Sequence, residues 1–558
     1  MVSPDQRSVE NDRAAQTRVA KRKRNMRSLV WLALLPCVSS LSQAQTRPLV
    51  NPEDIERQQA ERDAMLLSAA RAWRFEPSVG ALVTATSNSG FSFSSARDRD
   101  VIVDIEPRLR VRGRGASFTL DGDVGLKALV YTQSTQENRL LPNGKVDLNA
   151  NLVERWLYFD LSALAEQVAA DPYTTRADTE SGLNKINSLR YRFSPYLQHS
   201  FTPSLSLSLR SDNIWTDRRG EFASTDPRRN SIVKRDSLRF EQLPQPFGFS
   251  VEAAEEATKY RAGNTATVLE VAQARGVVTY ALDPTFILGL VGGKERSEYR
   301  LSSTTDTIAG VRVSWAPTER TDLKGVYEQR FFGTGGSLQW THRSPFVAFN
   351  ITAAREPNAL GTSFQLNPGA GNVQSLLDAI FTTRYPNPAE RAIIVGNVIA
   401  GLGVPSVLGS PVEVFADYAQ LRDSINLSAV FQGVRTTVST RLYASKSRQL
   451  TQKDAPFVPV IGLQADNKQR GFAVDLTRRL TSTLTAEAGV GYASIEGLAA
   501  AAGQSTKNTT VRFGLTQALS PKTKATVGAR YLRTDLVTIG ADASAKELAA
   551  FAGMTHRF

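Results

Sequence analysis

From Trp73 to the C terminus, apolar and polar side chains alternate along one strand-length segment after another. Leu205, Leu207 and Leu209 alternate with Ser204, Ser206, Ser208 and Arg210. Leu484, Ala486, Ala488, Val490 and Tyr492 alternate with Thr483, Thr485, Glu487, Gly489 and Gly491, and Ala525, Val527, Ala529 and Tyr531 with Lys524, Thr526, Gly528 and Arg530. A period of two is that of a β-strand with one apolar and one polar face. If the apolar set meets lipid and the polar set a lumen, a one-residue slip would carry Arg and Glu into hydrocarbon, so the pattern also sets which side faces out.

Between these segments recur short turn units: Phe201-Thr202-Pro203-Ser204, Leu282-Asp283-Pro284-Thr285, Trp315-Ala316-Pro317-Thr318, Leu519-Ser520-Pro521-Lys522 and the proline-free Leu480-Thr481-Ser482-Thr483. Proline presets one turn dihedral and offers no N–H, which suits a tight connection and would break a central strand. Further tight turns are predicted near Gly113, Glu154, Pro244, Pro345 and Gly433, with longer polar stretches, such as Asp212 to Asn230 and Lys446 to Asn467, between them. Short turns at one rim and long loops at the other are the periplasmic and extracellular ends of a transmembrane barrel. About ten tight turns, each joining two strands, plus a first and a last strand predict an all-β, large antiparallel barrel of roughly 22 strands, within 16 to 24.

The last residues, Phe551 to Phe558, resemble the closing strand of bacterial outer-membrane barrels: a terminal aromatic, Phe558, with Gly553 five places before it. Phe551, where that pattern prefers a polar residue, and His556, where it prefers an aromatic, depart from it. Such a strand would pair with the first and leave the sheet without an edge.

The segment Arg355 to Gln420 breaks the rhythm. Val373, Leu376, Leu377, Ile380 and Phe381 have helical spacing, and Asn387-Pro388-Ala389-Glu390 reads as a cap followed by a second helix. The uncharged run Ala392 to Val412 holds Pro405, Pro411 and four glycines, which argues against a continuous spanning helix. We expect 355–420 to be one long, partly helical loop, on the surface or in the lumen. Loops of such length are usually functional.

Ahead of the barrel, Lys21-Arg22-Lys23-Arg24 and Arg27 precede the apolar run Leu29 to Leu35 and the small-residue site Ser42-Gln43-Ala44. This is the form of a secretory signal over residues 1–44, with an alternative translation start at Met26. Residues 45–72 read as a short periplasmic helical segment opened by Asn51-Pro52-Glu53-Asp54, leaving 73–558 to the barrel. The one cysteine, Cys37, lies in the signal, which excludes disulfide chemistry from the exported chain.

Composition agrees with this reading. A hydrophobic fraction of 41% and a mean hydropathy of −0.25 are too low for a helical bundle in a bilayer and suit a barrel, where alternate residues alone need face lipid. The formal charge is +13, of which the signal supplies five, and no basic helix or nucleic-acid motif accompanies the surplus. Nucleic acid is therefore not expected as a partner; outer-membrane lipid and the barrel-assembly machinery are.

Candidate chemistry is sparse. No phosphate loop or nucleophile elbow is present, and His199, His342 and His556 stand at strand ends near the short-turn rim, away from Cys or His at metal spacing. We therefore expect no enzyme, no cofactor and no metal. More informative is the lumen, where Arg108, Arg110 and Arg112 share one parity, as do Arg190 with Arg192 and Arg435 with Arg441. Unpaired, they would lower the barrier for anions. Alternatively they pair with inward acids such as Asp104, Glu106, Asp121, Asp123, Asp475 and Glu487. Trp156, Trp315 and Trp340 near tight turns and Trp215 near a loop end fit aromatic girdles at the membrane interfaces.

Trp315-Ala316-Pro317-Thr318-Glu319-Arg320-Thr321, Arg330-Phe331-Phe332-Gly333 and Thr341-His342-Arg343-Ser344 together resemble the PEP-CTERM/exosortase-system-associated outer-membrane protein family. Trp73, Pro77, Ser194-Pro195-Tyr196-Leu197 with His199 and Phe201, and Pro388-Ala389-Glu390-Arg391 belong to the same pattern; Asn88-Ser89-Gly90 departs from it. The resemblance covers about residues 73 to 558. It implies an outer-membrane barrel in bacteria that make exopolysaccharide and sort proteins by exosortase; taken with the alternation, the turns and the signal, it leads us to expect a pore or export conduit, or else a scaffold with a filled lumen. Exopolysaccharide or its export proteins are the further partners it implies.

Overall fold

The computed structural model of the chain describes residues 73–93, 98–168, 186–219, 230–260, 266–299, 302–358, 373–387, 391, 394–395, 398–399, 419–450, 466–538 and 541–558. The expected signal and the helix over 45–72 lie outside the described residues. The alternating segments form β1 (Trp73–Thr86), β2 (Asp100–Arg114), β3 (Phe118–Tyr131), β4 (Arg139–Val153), β5 (Leu157–Val168), β6 (Ile186–Ser200), β7 (Leu205–Arg219), β8 (Asn230–Gln242), β9 (Phe247–Tyr260), β10 (Ala266–Asp283) and β11 (Phe286–Tyr299). The second half adds β12 (Ser302–Thr318), β13 (Thr321–Arg330), β14 (Gly333–Arg343), β15 (Val347–Asn358), β16 (Gln420–Gln432), β17 (Thr436–Gln449), β18 (Asn467–Arg479), β19 (Leu484–Gly497), β20 (Ser505–Ala518), β21 (Thr523–Thr538) and β22 (Ala541–Arg557). Among the described residues the one α-helix with defined bounds is α1 (Val373–Phe381). All 22 strands belong to one antiparallel sheet, and β1 pairs with both β2 and β22, so the sheet closes.

Closure runs from Ser78 opposite Arg557 to Thr86 opposite Ala549, and the Phe558 N–H donates to the Pro77 carbonyl at 3.0 Å. The two departures in the closing strand have physical accounts. His556 Nδ1 lies 2.9 Å from Thr523 Oγ1, and its ring stands edge-on to Phe558 at 5.0 Å, so it keeps an aromatic contact at the rim. Phe551 points to the lumen and covers Gly528, where an added Cβ would come within 2.5 Å of its ring.

The ten expected tight turns all lie on the rim that carries both barrel ends, and on the opposite rim β13 and β14 are also joined by only two residues, Phe331 and Phe332. One unit is displaced: β12 runs through Trp315-Ala316-Pro317 to Thr318 and reverses at Glu319-Arg320, with a register irregularity that accommodates Pro317 and its missing N–H. The polar stretches read as loops are shorter than expected. Asp212 to Arg219 belongs to β7, and Lys446 to Gln449 to β17. Nine to eleven residues suffice to cross a bilayer, so strands such as β7, with 15, continue past the hydrocarbon, where polar side chains on the outer face carry no penalty.

Outward positions form an apolar band, including Leu290, Val278, Val311 and Val527, with Trp73, Trp156, Trp315 and Trp340 at the short-turn rim and Trp215 toward the other. Each of these side chains is exposed, as a lipid-facing belt requires.

The 355–420 segment is the main departure from the wall. It leaves at Asn358 and rejoins at Gln420, both on the long-loop rim, yet α1 buries Val373, Leu376, Leu377 and Ile380 against Ala348 of β15 and Val430 of β16. Ala348 and Val430 are register partners whose neighbours Phe349 and Phe431 face outward, so the helix lies inside the barrel. Ala348 stands ten residues before Asn358, about 33 Å of strand at ~3.3 Å per residue, so the loop descends nearly to the opposite rim. Arg391, Ile394, Val395, Val398 and Ile399 are helical as expected after Asn387, and Arg391 Nε holds Asp378 of α1 at 2.7 Å. Among the described residues no helix is long and apolar enough to cross a membrane.

Facing is testable at matched sites. Leu290→Arg, on the lipid side of β11, is expected to cost about 2–4 kcal/mol in equilibrium unfolding from lipid vesicles, whereas Ser314→Arg, on the lumen side of the adjoining β12, should shift the midpoint little.

Candidate functional site

The lumen wall is charged and largely paired. Arg108 donates to Glu106 at 2.6 Å and Asp123 at 2.7 Å, with Lys127 on Asp104 at 3.0 Å. Arg192 reaches Asp212 at 2.8 Å, and Arg190 lies 4.0 Å from Glu166. Arg441 is fully buried, bonded to Asn426 Oδ1 at 3.3 Å, with its guanidinium over Tyr443. Arg110 and Arg112 lie in register with Asp123 and Asp121, without an ion pair among the described residues. Arg435 is misassigned by parity: it sits exposed in the Gly433–Arg435 turn, on no strand, because β17 begins at Thr436. These arginines therefore do not form one basic ring; for Arg108 and Arg192 the pairing alternative holds.

The densest charge lies on strands that the sequence reading passed over. Arg275 of β10 holds Glu252 of β9 at 2.7 Å and reaches Glu328 of β13 at 2.6 Å; Arg312 of β12 reaches back to Glu252 at 3.0 Å. Arg330 holds Glu295 of β11 at 2.5 Å. Several of these links skip one or two intervening strands, and lumen-facing glycines make room for them. A Cβ at Gly310 would meet Glu328 Cγ at 2.7 Å, one at Gly293 would meet Arg275 Cβ at 2.7 Å, and one at Gly289 would crowd Arg312. The parity of Glu328 with Arg330, against Tyr327 and Gln329, was visible in the sequence. Their partners were not, because the Arg275–Glu328 pair spans 53 residues of chain.

Above this network the wall turns inward. β13 and β14 are the shortest strands, and their joint, Phe331-Phe332, folds into a buried apolar cluster with Val233, Leu269, Tyr299, Leu421, Leu450 and Ile495. Glu295 fastens the joint by accepting the Phe331 N–H at 2.6 Å beside its bonds to Arg330. Glu356 of β15, the register partner of Arg422 of β16, comes within electrostatic reach of Arg235 of β8 and Glu256 of β9. The lumen is thus narrowed between these two stretches of wall. A cavity of about 120 Å3 remains beside Arg210, Arg235, Gln273, Arg330, Phe331 and Pro357.

The histidines are spread over three strands at the short-turn rim: His199 meets the Arg155 carbonyl, His342 meets Thr321 and His556 meets Thr523. Among the described residues no group of three or more His, Cys, Asp or Glu could hold a metal ion.

No family model and no curated protein matches the chain. Solved structures do. The siderophore receptor PiuA from Acinetobacter baumannii is 8% identical with a TM-score of 0.42, over 88% of this chain and 82% of that one. The siderophore receptor PirA from Pseudomonas aeruginosa is 9% identical with a TM-score of 0.36, over 88% and 81%. An anion-selective porin from Comamonas acidovorans is 9% identical with a TM-score of 0.30, over 88% and 100%. At such values none of them says what this barrel carries.

Removing one acid from this buried network leaves its charges unbalanced, since Arg275 keeps Glu252 but shares it with Arg312. Glu328→Ala, opposite Arg275, is expected to destabilise the barrel by about 3 kcal/mol, while Asp217→Asn, which opens the exposed pair with Arg219, should leave the unfolding midpoint where it is.

Proposed function

We propose that the chain is a non-enzymatic bacterial outer-membrane barrel acting as a gated conduit, and that it serves an exopolysaccharide and PEP-CTERM/exosortase protein-sorting system. The observation that carries the gating part is the seat of α1 on Ala348 and Val430 inside the barrel. A wall of this closure holds itself together without a helix in its bore, and the helix hangs from two chain ends at the far rim, where withdrawing it breaks no strand pairing. Among the described residues its seated face is formed by Val373, Leu376, Leu377 and Ile380. Support for the outer membrane comes from the closed sheet, the apolar outer band and the aromatic rims, and for the sorting system from the motifs around Trp315, Arg330 and Thr341.

A second reading, a scaffold barrel whose lumen conducts nothing and whose loops hold surface polymer, is favoured by the buried pairs that stitch β9 to β13 across the wall.

Planar-bilayer conductance separates them. The intact barrel is expected to be quiet, and replacing 359–418 by a short flexible linker should produce stable conductance steps. Silence in both proteins, shown to be folded by heat-modifiable mobility, would give the case to the scaffold.

A further inference from the structure

The tight turns of the short-turn rim differ in charge around the barrel. The connections Phe201–Ser204, Leu243–Pro246 and Pro284–Thr285 hold no Arg or Lys, and Asp283 at the end of β10 is an acid. In two others a base stands beside an acid, Glu154 with Arg155 and Glu319 with Arg320. From β16 to β21 every turn carries bases and no acid: Arg435 ahead of β17, Arg478 and Arg479 at the end of β18, and Lys522 ahead of β21. The acids nearest along these strands, Asp475 and Glu487, face the lumen, where Arg512 holds Asp475 at 2.5 Å.

These bases are neighbours. The Arg479 N–H donates to the Arg435 carbonyl at 2.8 Å, which sets the two residues abreast, and Arg478 is the register partner of Thr436, next to Arg435. The Ala518 N–H donates to the Thr483 carbonyl at 2.8 Å, which brings the Lys522 turn alongside. All four residues are exposed, and none has an ion-pair partner among the described residues. Like charges abreast destabilise a sheet. With no acid of the chain to offset them, their counter-charge comes from outside it.

The surroundings of the bases decide which anion that is. Val434, in the turn with Arg435, is 94% exposed, and Leu519 and Leu480 at the two following turns are 60% and 43% exposed. Phe431 and Leu476 stand on the lipid face beside them, and Arg478 shares the outward face of β18 with Leu476. Apolar tips among bases suit the edge of a bilayer, with the tips against acyl chains and the charged ends at headgroup level. Trp315 and Trp340 mark that depth on the same rim. We propose that this stretch of rim binds the headgroup phosphate of an anionic phospholipid. Arg435 and Arg478 offer guanidinium forks that match phosphate oxygens, and Lys522 adds a point charge. A zwitterionic headgroup brings its own ammonium, which the same bases repel, so the site prefers phosphatidylglycerol to phosphatidylethanolamine. The inference rests on the outer-membrane placement and not on gating.

The test is native mass spectrometry of the detergent-purified full chain titrated with phosphatidylglycerol or phosphatidylethanolamine of the same acyl chains. The wild type should take up its first phosphatidylglycerol about tenfold more tightly than phosphatidylethanolamine. The triple variant Arg435→Gln, Arg478→Gln, Lys522→Gln should lose that preference, and Arg320→Gln, in a turn that holds its own acid, should keep it. Four outcomes overturn the site, each with folding shown by heat-modifiable mobility. They are equal uptake of both lipids by the wild type, a preference that survives in the triple variant, an equal loss in Arg320→Gln, and displacement of the lipid by an equimolar amount of glycerol 3-phosphate. The last would mean a soluble anion in place of a lipid. Lipid uptake does not depend on conductance. A barrel that prefers phosphatidylglycerol but stays silent after loop replacement removes the conduit and leaves the site, and a barrel that conducts without the preference does the reverse.

Discussion

The structure depends on one requirement: in hydrocarbon every backbone N–H and C=O must find its partner within the protein. A sheet meets it by closing, and the seam between β1 and β22 is where this chain does so, through Ser78–Arg557 to Thr86–Ala549 and the terminal bond from Phe558 to Pro77. Everything else is subordinate to that seam. Because the ring is continuous, each strand has a fixed inner and outer face, so the alternation of side chains becomes an alternation of solvents, lipid outside and a lumen inside.

Closing a ring of this many strands creates a bore too wide for wall side chains to fill. Two devices occupy it. Long Arg and Glu side chains lie along the wall over Gly289, Gly293 and Gly310, linking strands that share no backbone bonds. Then the segment between β15 and β16 folds back into the bore and seats α1 on Ala348 and Val430. The first device is costly to disturb, because charges desolvated in pairs cannot be separated cheaply. The second is a single apolar face on a tethered loop. Under the proposed gating it is this loop, and not the strands, that would move.

Much of this was legible in the chain. The alternation, the turn units and the terminal Phe558 were enough for strand number, facing and closure, because each depends on neighbours in sequence or on a period of two. The errors are instructive for the same reason. Asp212 to Arg219 looked like loop, since polarity alone does not distinguish a loop from a strand that has passed the bilayer edge. Arg435 was placed on the lumen by counting parity through a turn, where parity does not persist.

The amino-acid sequence by itself determined that this chain is a closed barrel and which residues face which solvent, because those are consequences of local periodicity multiplied over many strands. The tertiary structure alone decided what fills the bore. The helical spacing of Val373 to Phe381 announces a helix that needs an apolar partner but not that the partner is Ala348 and Val430, and Arg275 carries no mark of Glu328 three strands away. Such pairings depend on distances across the lumen, and these exist only once the ring has closed.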